Sequence, residues 1–255
     1  MNSFAKWIVA PFDGSDNVKY ILLFLLPEYS RIFGSKIMNA ETCIVFNDPT
    51  SECPMLITST NPVMIRLAQS STSFWAQTIY QLSHEICHFA IRQGKHNKGY
   101  TLSWLEETIC EAMSLYMLQY SAVNWYKCPL SQRAPQFSNS IMAYLVNELK
   151  RIPKNSLSMC QTLGELRACN QNAAAERDGR LGERNTLYRV ISEFSEESYL
   201  FCDMYQYLNE DQLTVDFEKW LADHPSEIVR CLSQIQPKIL KSAESCDRTE
   251  RIHSM

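Results

Sequence analysis

The chain lacks any apolar stretch long enough to cross a bilayer. Its most lipid-like run, residues 20–26, falls far short of the roughly 20 residues that a spanning helix needs. That run reads instead as a buried strand or helix. A leader layout is missing too: Lys6 precedes a short apolar segment broken by Pro11 and Asp13, and no small-residue cleavage site follows. A cytoplasmic protein is therefore expected. Blocks of like charge are absent, because 24 basic and 28 acidic side chains are interspersed and leave a formal charge of -4. Neither nucleic acid nor an anionic membrane is expected as a partner. The ten cysteines form no Cys-x-x-Cys pair, and several have apolar neighbours, as Cys43 does before Ile44-Val45-Phe46. In a chain of this size that pattern favours buried, reduced thiols over a disulfide framework. No internal repeat or low-complexity tract is visible.

What remains is the profile of an ordinary globular protein, 45% apolar and 20% charged, long enough to bury a substantial core. Up to residue 70 the chain reads as mixed strands and turns. Residues 43–46, 55–58 and 63–67 are short apolar runs, separated by Asn47-Asp48-Pro49 and by Asn61-Pro62, and predict a small mixed or antiparallel sheet. From about residue 73 the period changes. Trp75, Ile79, Leu82, Ile86 and Phe89 recur at steps of three and four, which predicts a helix over 73–92 with Ser73 as its cap and Gly94 as its stop. A polar loop over 94–100 leads to a second helix over 102–120, with Leu105, Ile109, Ala112, Met113 and Tyr116 facing inward. A third helix is expected over 137–149. Residues 1–150 then form a sheet-containing lobe with these helices, 151–185 a polar linker or surface excursion with a short helix near 163–168, and 186–244 a helical lobe. Helices are expected there over 186–194, 217–221 and 228–235, and residues 245–255 read as a tail.

His84-Glu85-Ile86-Cys87-His88 lies inside the first of these helices. Positions four apart stack on one helical face, so both imidazoles can reach one ion, and Glu85 sits beside it. There it can take a proton from a water at the metal. Gln77, Gln81, His84 and His88 make one polar stripe, with Leu82, Ile86 and Phe89 on the far side. The competing reading is a pair of surface histidines on an ordinary helix. A catalytic zinc also wants a third protein ligand and an open position, and the next helix offers Glu106, Glu107 and Glu111.

The spacing of these residues resembles that of gluzincin metallopeptidases of the aminopeptidase-N type, in which H-E-x-x-H is followed after eighteen residues by a glutamate within Trp-Leu-x-Glu. Residues 89–106 are the eighteen, and Glu107 falls at the ligand position of Trp104-Leu105-Glu106-Glu107. The resemblance implies a zincin-like α+β fold, a small sheet over the active-site helix with a helical C-terminal lobe. It further implies Zn2+ held by His84, His88 and Glu107, with Glu85 as general base and a peptide or protein as substrate. Glu111, one turn beyond Glu107, matches an acidic position that in thermolysin-like members orients a histidine ligand. Glu106 should then point aside, to the cleft wall or to solvent, because adjacent helical positions diverge by about 100°. The likeness covers residues 70–120. The upstream Gly-x-Met-Glu-Asn segment of the aminopeptidases is missing and residue 108 is Thr where Gly is common, so the fold class is implied and exopeptidase cleavage is not.

Tyr188 is the candidate to stabilise the oxyanion, since it opens a helix after the polar stretch. His96, His224 and His253 read as surface residues, and Cys87 and Cys110 as small core residues. Substrate is expected to pair with an edge strand, either 55–58 or 63–67. A zinc-stabilised interaction protein with a vestigial site, or a hydrolase of small amides or esters, are the alternative functions.

Overall fold

The computed structural model describes residues 4–94, 101–154 and 157–239. Of the expected loop over 94–100, residues 95–100 with His96 lie outside these residues, as does the expected tail with His253. Strand β1 (Trp7–Val9) leads into helix α1 (Ser15–Phe33), a single turn α2 (Ser35–Met38), and strands β2 (Cys43–Asn47), β3 (Met55–Ile57) and β4 (Val63–Leu67). Helices α3 (Trp75–Gly94), α4 (Ser103–Asn124) and α5 (Phe137–Leu149) follow. The remainder is α6 (Leu163–Asn172), α7 (Leu181–Glu193), a 3-10 stretch Ser195–Tyr207, and the short helices α8 (Phe217–Asp223) and α9 (Glu227–Ile235). No helix among the described residues is long and apolar enough to cross a membrane.

The sheet is mixed, in the order β1-β2-β4-β3: β1 and β4 flank β2 in parallel, and β3 runs antiparallel to β4. Val45, Ile65 and Leu67 are fully buried, while their alternate neighbours are partly exposed, as expected of a sheet covered on one face. Its outer strands are β1 and β3, so of the two expected edges only the run beginning at Met55 is one. The first 70 residues are not all strands and turns, because α1 occupies 19 of them. Val18, Ile21, Leu22, Leu25, Tyr29 and Ile32 keep helical spacing and are buried. Pro27 within the helix and apolar residues around most of its circumference blur that period in the sequence. Gly14 starts α1 at φ 74°, where a Cβ would fall 1.9 Å from Thr72 Oγ1, so the turn requires glycine.

α3 and α4 pack side by side at the centre, with Leu82, Ile86 and Phe89 of one and Leu105, Ile109 and Met113 of the other fully buried. At its last residue, Gly94, α3 runs so close to the 3-10 stretch that a Cβ would meet the Cys202 carbonyl at 2.0 Å. Every described cysteine is free, and Cys87 and Cys110 are buried between the central helices. Residues 151–185 are more than a surface excursion: Leu157, Leu166 and Arg180 are buried, and α6 reaches the start of α4. Low apolar density hid this, because the stretch docks largely through polar side chains.

Candidate metal centre

The rotation of α3 about its axis is fixed from two sides. Tyr29 of α1 donates its hydroxyl to the Ser83 carbonyl at 2.6 Å, one residue before His84. On the sheet side, the Gln81 amide accepts from Ala68 N at 3.0 Å and donates to Ala68 O at 3.1 Å, extending the end of β4 as another strand would. Leu82, Ile86 and Phe89 anchor the opposite face, leaving His84, Glu85 and His88 turned into a cleft.

α4 begins without a cap of its own, since Leu102 offers no side-chain acceptor. Asn170 of α6 supplies one, accepting from Trp104 N and donating to Thr101 O, both at 3.1 Å. The Trp104 ring is fully buried, and its indole N–H donates to Leu213 O at 2.8 Å. This bracing presents Glu106 and Glu107 to α3.

Glu107 Oε2 lies 3.2 Å from His84 Nε2, and its Oε1 lies 3.5 Å from His88 Nε2. The two Nε2 atoms are 3.1 Å apart. His84, His88 and Glu107 thus converge and can hold a metal ion, with one ligand atom from each within 4.8 Å of the others. Burial would raise the Glu107 carboxyl, but hydrogen bonding to His84 and His88 outweighs it and holds the group far below the usual carboxylate range. At His88 burial disfavours the charged ring, yet contacts with Glu106 and Glu107 lift it well above an ordinary histidine. Burial pushes the Glu85 carboxyl up, against the opposing pull of His84 and His88.

Three expected placements differ. Glu106 reaches the cleft wall, one of its two expected places, but is not turned away from the histidines: its Oε1 lies 2.8 Å from His88 Nδ1, and its Oε2 accepts from the Tyr205 hydroxyl. The 100° divergence of Glu106 and Glu107 lets them reach opposite nitrogens of one imidazole, a possibility that reasoning about a single ion missed. Glu111 does not reach a histidine. It is fully buried with Oε1 3.0 Å from Arg180 Nη2, while His84 Nδ1 has no hydrogen-bond partner among the described residues. Arg180 lies 69 residues on, beyond any local signal. Tyr188 is absent from the cleft; its hydroxyl donates to Gln119 Oε1 at 2.9 Å. His224, at the end of α8, does not line the cleft either.

The cleft measures about 460 Å³. Its inner wall carries His84, Glu85, His88, Glu106 and Glu107, and its outer wall includes Met55 and Leu56 of β3, with Ala174 and Arg177 beyond them. Arg177 is the lining residue that sequence reasoning passed over, since nothing in the periodicity of a polar stretch singles it out. Comparison with protein-family models, characterised proteins and solved structures gives no match to the chain.

Proposed function

We propose that this chain is a zinc-dependent peptidase of gluzincin type. The observation that carries the reading is the convergence of His84 Nε2, His88 Nε2 and the Glu107 carboxylate in a cleft that also holds Glu85. Tetrahedral zinc with bonds of about 2.0–2.1 Å needs ligand atoms about 3.3–3.4 Å apart. The separations here are 3.1, 3.2 and 3.5 Å. A donor set of two imidazoles and a carboxylate suits zinc, and a cation would relieve the close approach of two imidazole nitrogens. The sheet edge, the H-E-x-x-H helix and a third ligand from the following helix agree with a zincin-like fold.

When bound, zinc supplies Lewis-acid polarisation of water and of the scissile carbonyl. Glu85 accepts the water's proton and returns it to the leaving amine, a role helped by the raised proton affinity of its buried carboxyl. Glu106 fixes the His88 ring through Nδ1, with Tyr205 holding Glu106 in turn. Among the described residues only one edge of β3 is paired, by β4, so its other edge can take an extended peptide.

The test combines metal analysis with digestion of a mixed peptide library. One zinc per chain and release of new amino groups are expected, and Glu85→Gln should keep the metal and lose nearly all cleavage. An intact library with zinc bound would indicate a binding protein instead. Cleavage confined to small amides would move the substrate class, and an active Glu85→Gln variant would remove Glu85 from the mechanism.

A further inference from the structure

Arg177 opens the 3-10 turn Arg177–Arg180 and lines the cleft. The arginines around it are paired: Arg180 with Glu111, Arg184 and Arg151 with Glu148, and Arg92, the other arginine lining the cleft, with Glu41. Arg177 itself makes no hydrogen bond or ion pair with any described residue. Burial works against its charge, while Tyr80 and the carboxylates of Glu111, Glu107 and Glu85 favour it through space without touching it. Glu111 Oε1 pairs with Arg180 and Glu107 with the two histidines, and none of the three carboxylates comes within ion-pair distance of Arg177.

The turn that carries Arg177 is braced. Glu176 N donates to Asn172 O at 2.8 Å at the end of α6, Asp178 pairs with Arg151 and, at 3.1 Å, with Lys154, and Arg180 is bound to α4 one turn beyond Glu107. A guanidinium held in this way, half-buried and unpartnered, is a costly arrangement unless an anion joins it. Its planar fork of donors matches a carboxylate better than a neutral amide. The lining residues from the strand side of the cleft, Cys53, Pro54, Met55, Leu56 and Thr58, carry no charge that would compete for that anion.

We propose that Arg177 is the carboxylate-binding residue of this cleft, selecting peptides that bring an acidic side chain or a free C-terminus beside the bond placed at the metal centre. The inference rests on the peptide-binding reading above. It is tested by binding, with zinc-loaded Glu85→Gln protein so that nothing is consumed, using fluorescently labelled peptides in matched sets. One set exchanges Glu for Gln at successive positions, and another compares a free with an amidated C-terminus. Carboxylate-bearing members should bind about tenfold or more tightly than their neutral partners, and the set that shows the preference identifies its source. Adding Arg177→Gln or Arg177→Ala should erase the preference, and Arg177→Lys should keep part of it, with zinc content and circular dichroism reporting on folding. Equal binding of acidic and neutral members by the Glu85→Gln protein overturns the proposal whatever the Arg177 variants do. So does absence of binding by every carboxylate-bearing peptide, or a preference that survives in a folded Arg177→Gln variant. If the wild type fails to cleave peptides while the Glu85→Gln protein still discriminates, the peptidase reading falls and the carboxylate site stands. If the wild type cleaves but the Glu85→Gln protein does not discriminate, the carboxylate site falls and the peptidase reading stands.

Discussion

On the inner side of the cleft, every polar group at the metal position is carried by α3 or α4, helices of 20 and 22 residues that pack against each other. On the outer side the lining comes from a three-residue edge strand and a four-residue 3-10 turn. The inner groups are held in chains of contact, Tyr205 to Glu106 to His88 and Gln81 to Ala68, and the side chains behind them are fully buried. The outer groups are partly exposed and, apart from Arg177, neutral. Metal ligation tolerates errors of only about half an ångström, and the three residues that could hold an ion sit on elements that the core makes rigid. On the proposed reading, substrate contact tolerates more and falls to these shorter elements.

The hardest blow to that contrast falls on the inner wall. His84→Ala, His88→Ala and Glu107→Ala should each reduce bound zinc from about one per chain to a trace, since two protein ligands rarely retain the ion. Plasma emission spectroscopy on dialysed protein reads this directly. Stoichiometric zinc in any folded member of the three would show that the ligand set is different.

Glu111→Ala attacks the ion pair that ties the Arg177–Arg180 turn to α4. Its partner Arg180 has a side chain only 5% exposed, and stranding a buried charge costs about 3–5 kcal/mol. A correspondingly lower urea midpoint is expected, while zinc affinity of the folded protein stays within a few-fold of the wild type. Were affinity to collapse with stability unchanged, Glu111 would be orienting a histidine after all.

Glu106→Ala should do what sequence reasoning assigned to Glu111. Removing the acceptor at His88 Nδ1 should weaken zinc by about ten- to a hundredfold, measured by competition with a chelator. Tyr205→Phe should follow with a smaller loss, since its hydroxyl reaches His88 through Glu106. Unchanged affinity in Glu106→Ala would mean that the His88 ring is held by its packing alone.

The same contrast accounts for what could be read in the sequence. α3, α4 and α5 were legible because apolar residues recur along them at steps of three and four, and for α5 the expected range 137–149 is also the observed one. His84, His88 and Glu107 were legible because their spacing along two helices is itself the chemistry. The choice between Glu106 and Glu111 was not, because it depends on where Arg180 and Tyr205 arrive from 69 and 99 residues away. The cap of α4 is equally remote, since Asn170 lies 66 residues beyond Trp104. β1, three residues long, has too little sequence to show a period. Arg177 was hidden in a stretch whose polarity resembled that of a loop.

Tyr188→Phe gives the smallest expected effect, and separates the metal centre from its surroundings. The hydroxyl donates to Gln119 Oε1, an oxygen that also accepts from Ser192 Oγ at 3.0 Å. Removing it leaves that acceptor with one donor, and the phenyl ring keeps the half-buried packing. The net value of such a hydrogen bond is about 0.5–1.5 kcal/mol, so the urea midpoint should fall slightly. Zinc content should be unchanged, and peptide turnover should stay within about twofold of the wild type, because neither Tyr188 nor Gln119, twelve residues beyond Glu107 on α4, lines the cleft. A loss of turnover by a hundredfold or more, with zinc content and stability preserved, would instead place the Tyr188 hydroxyl at the oxyanion in the working enzyme. That result would require α7 to move toward α3 when substrate binds, making the helical lobe, and not the β3 edge, the adjustable wall.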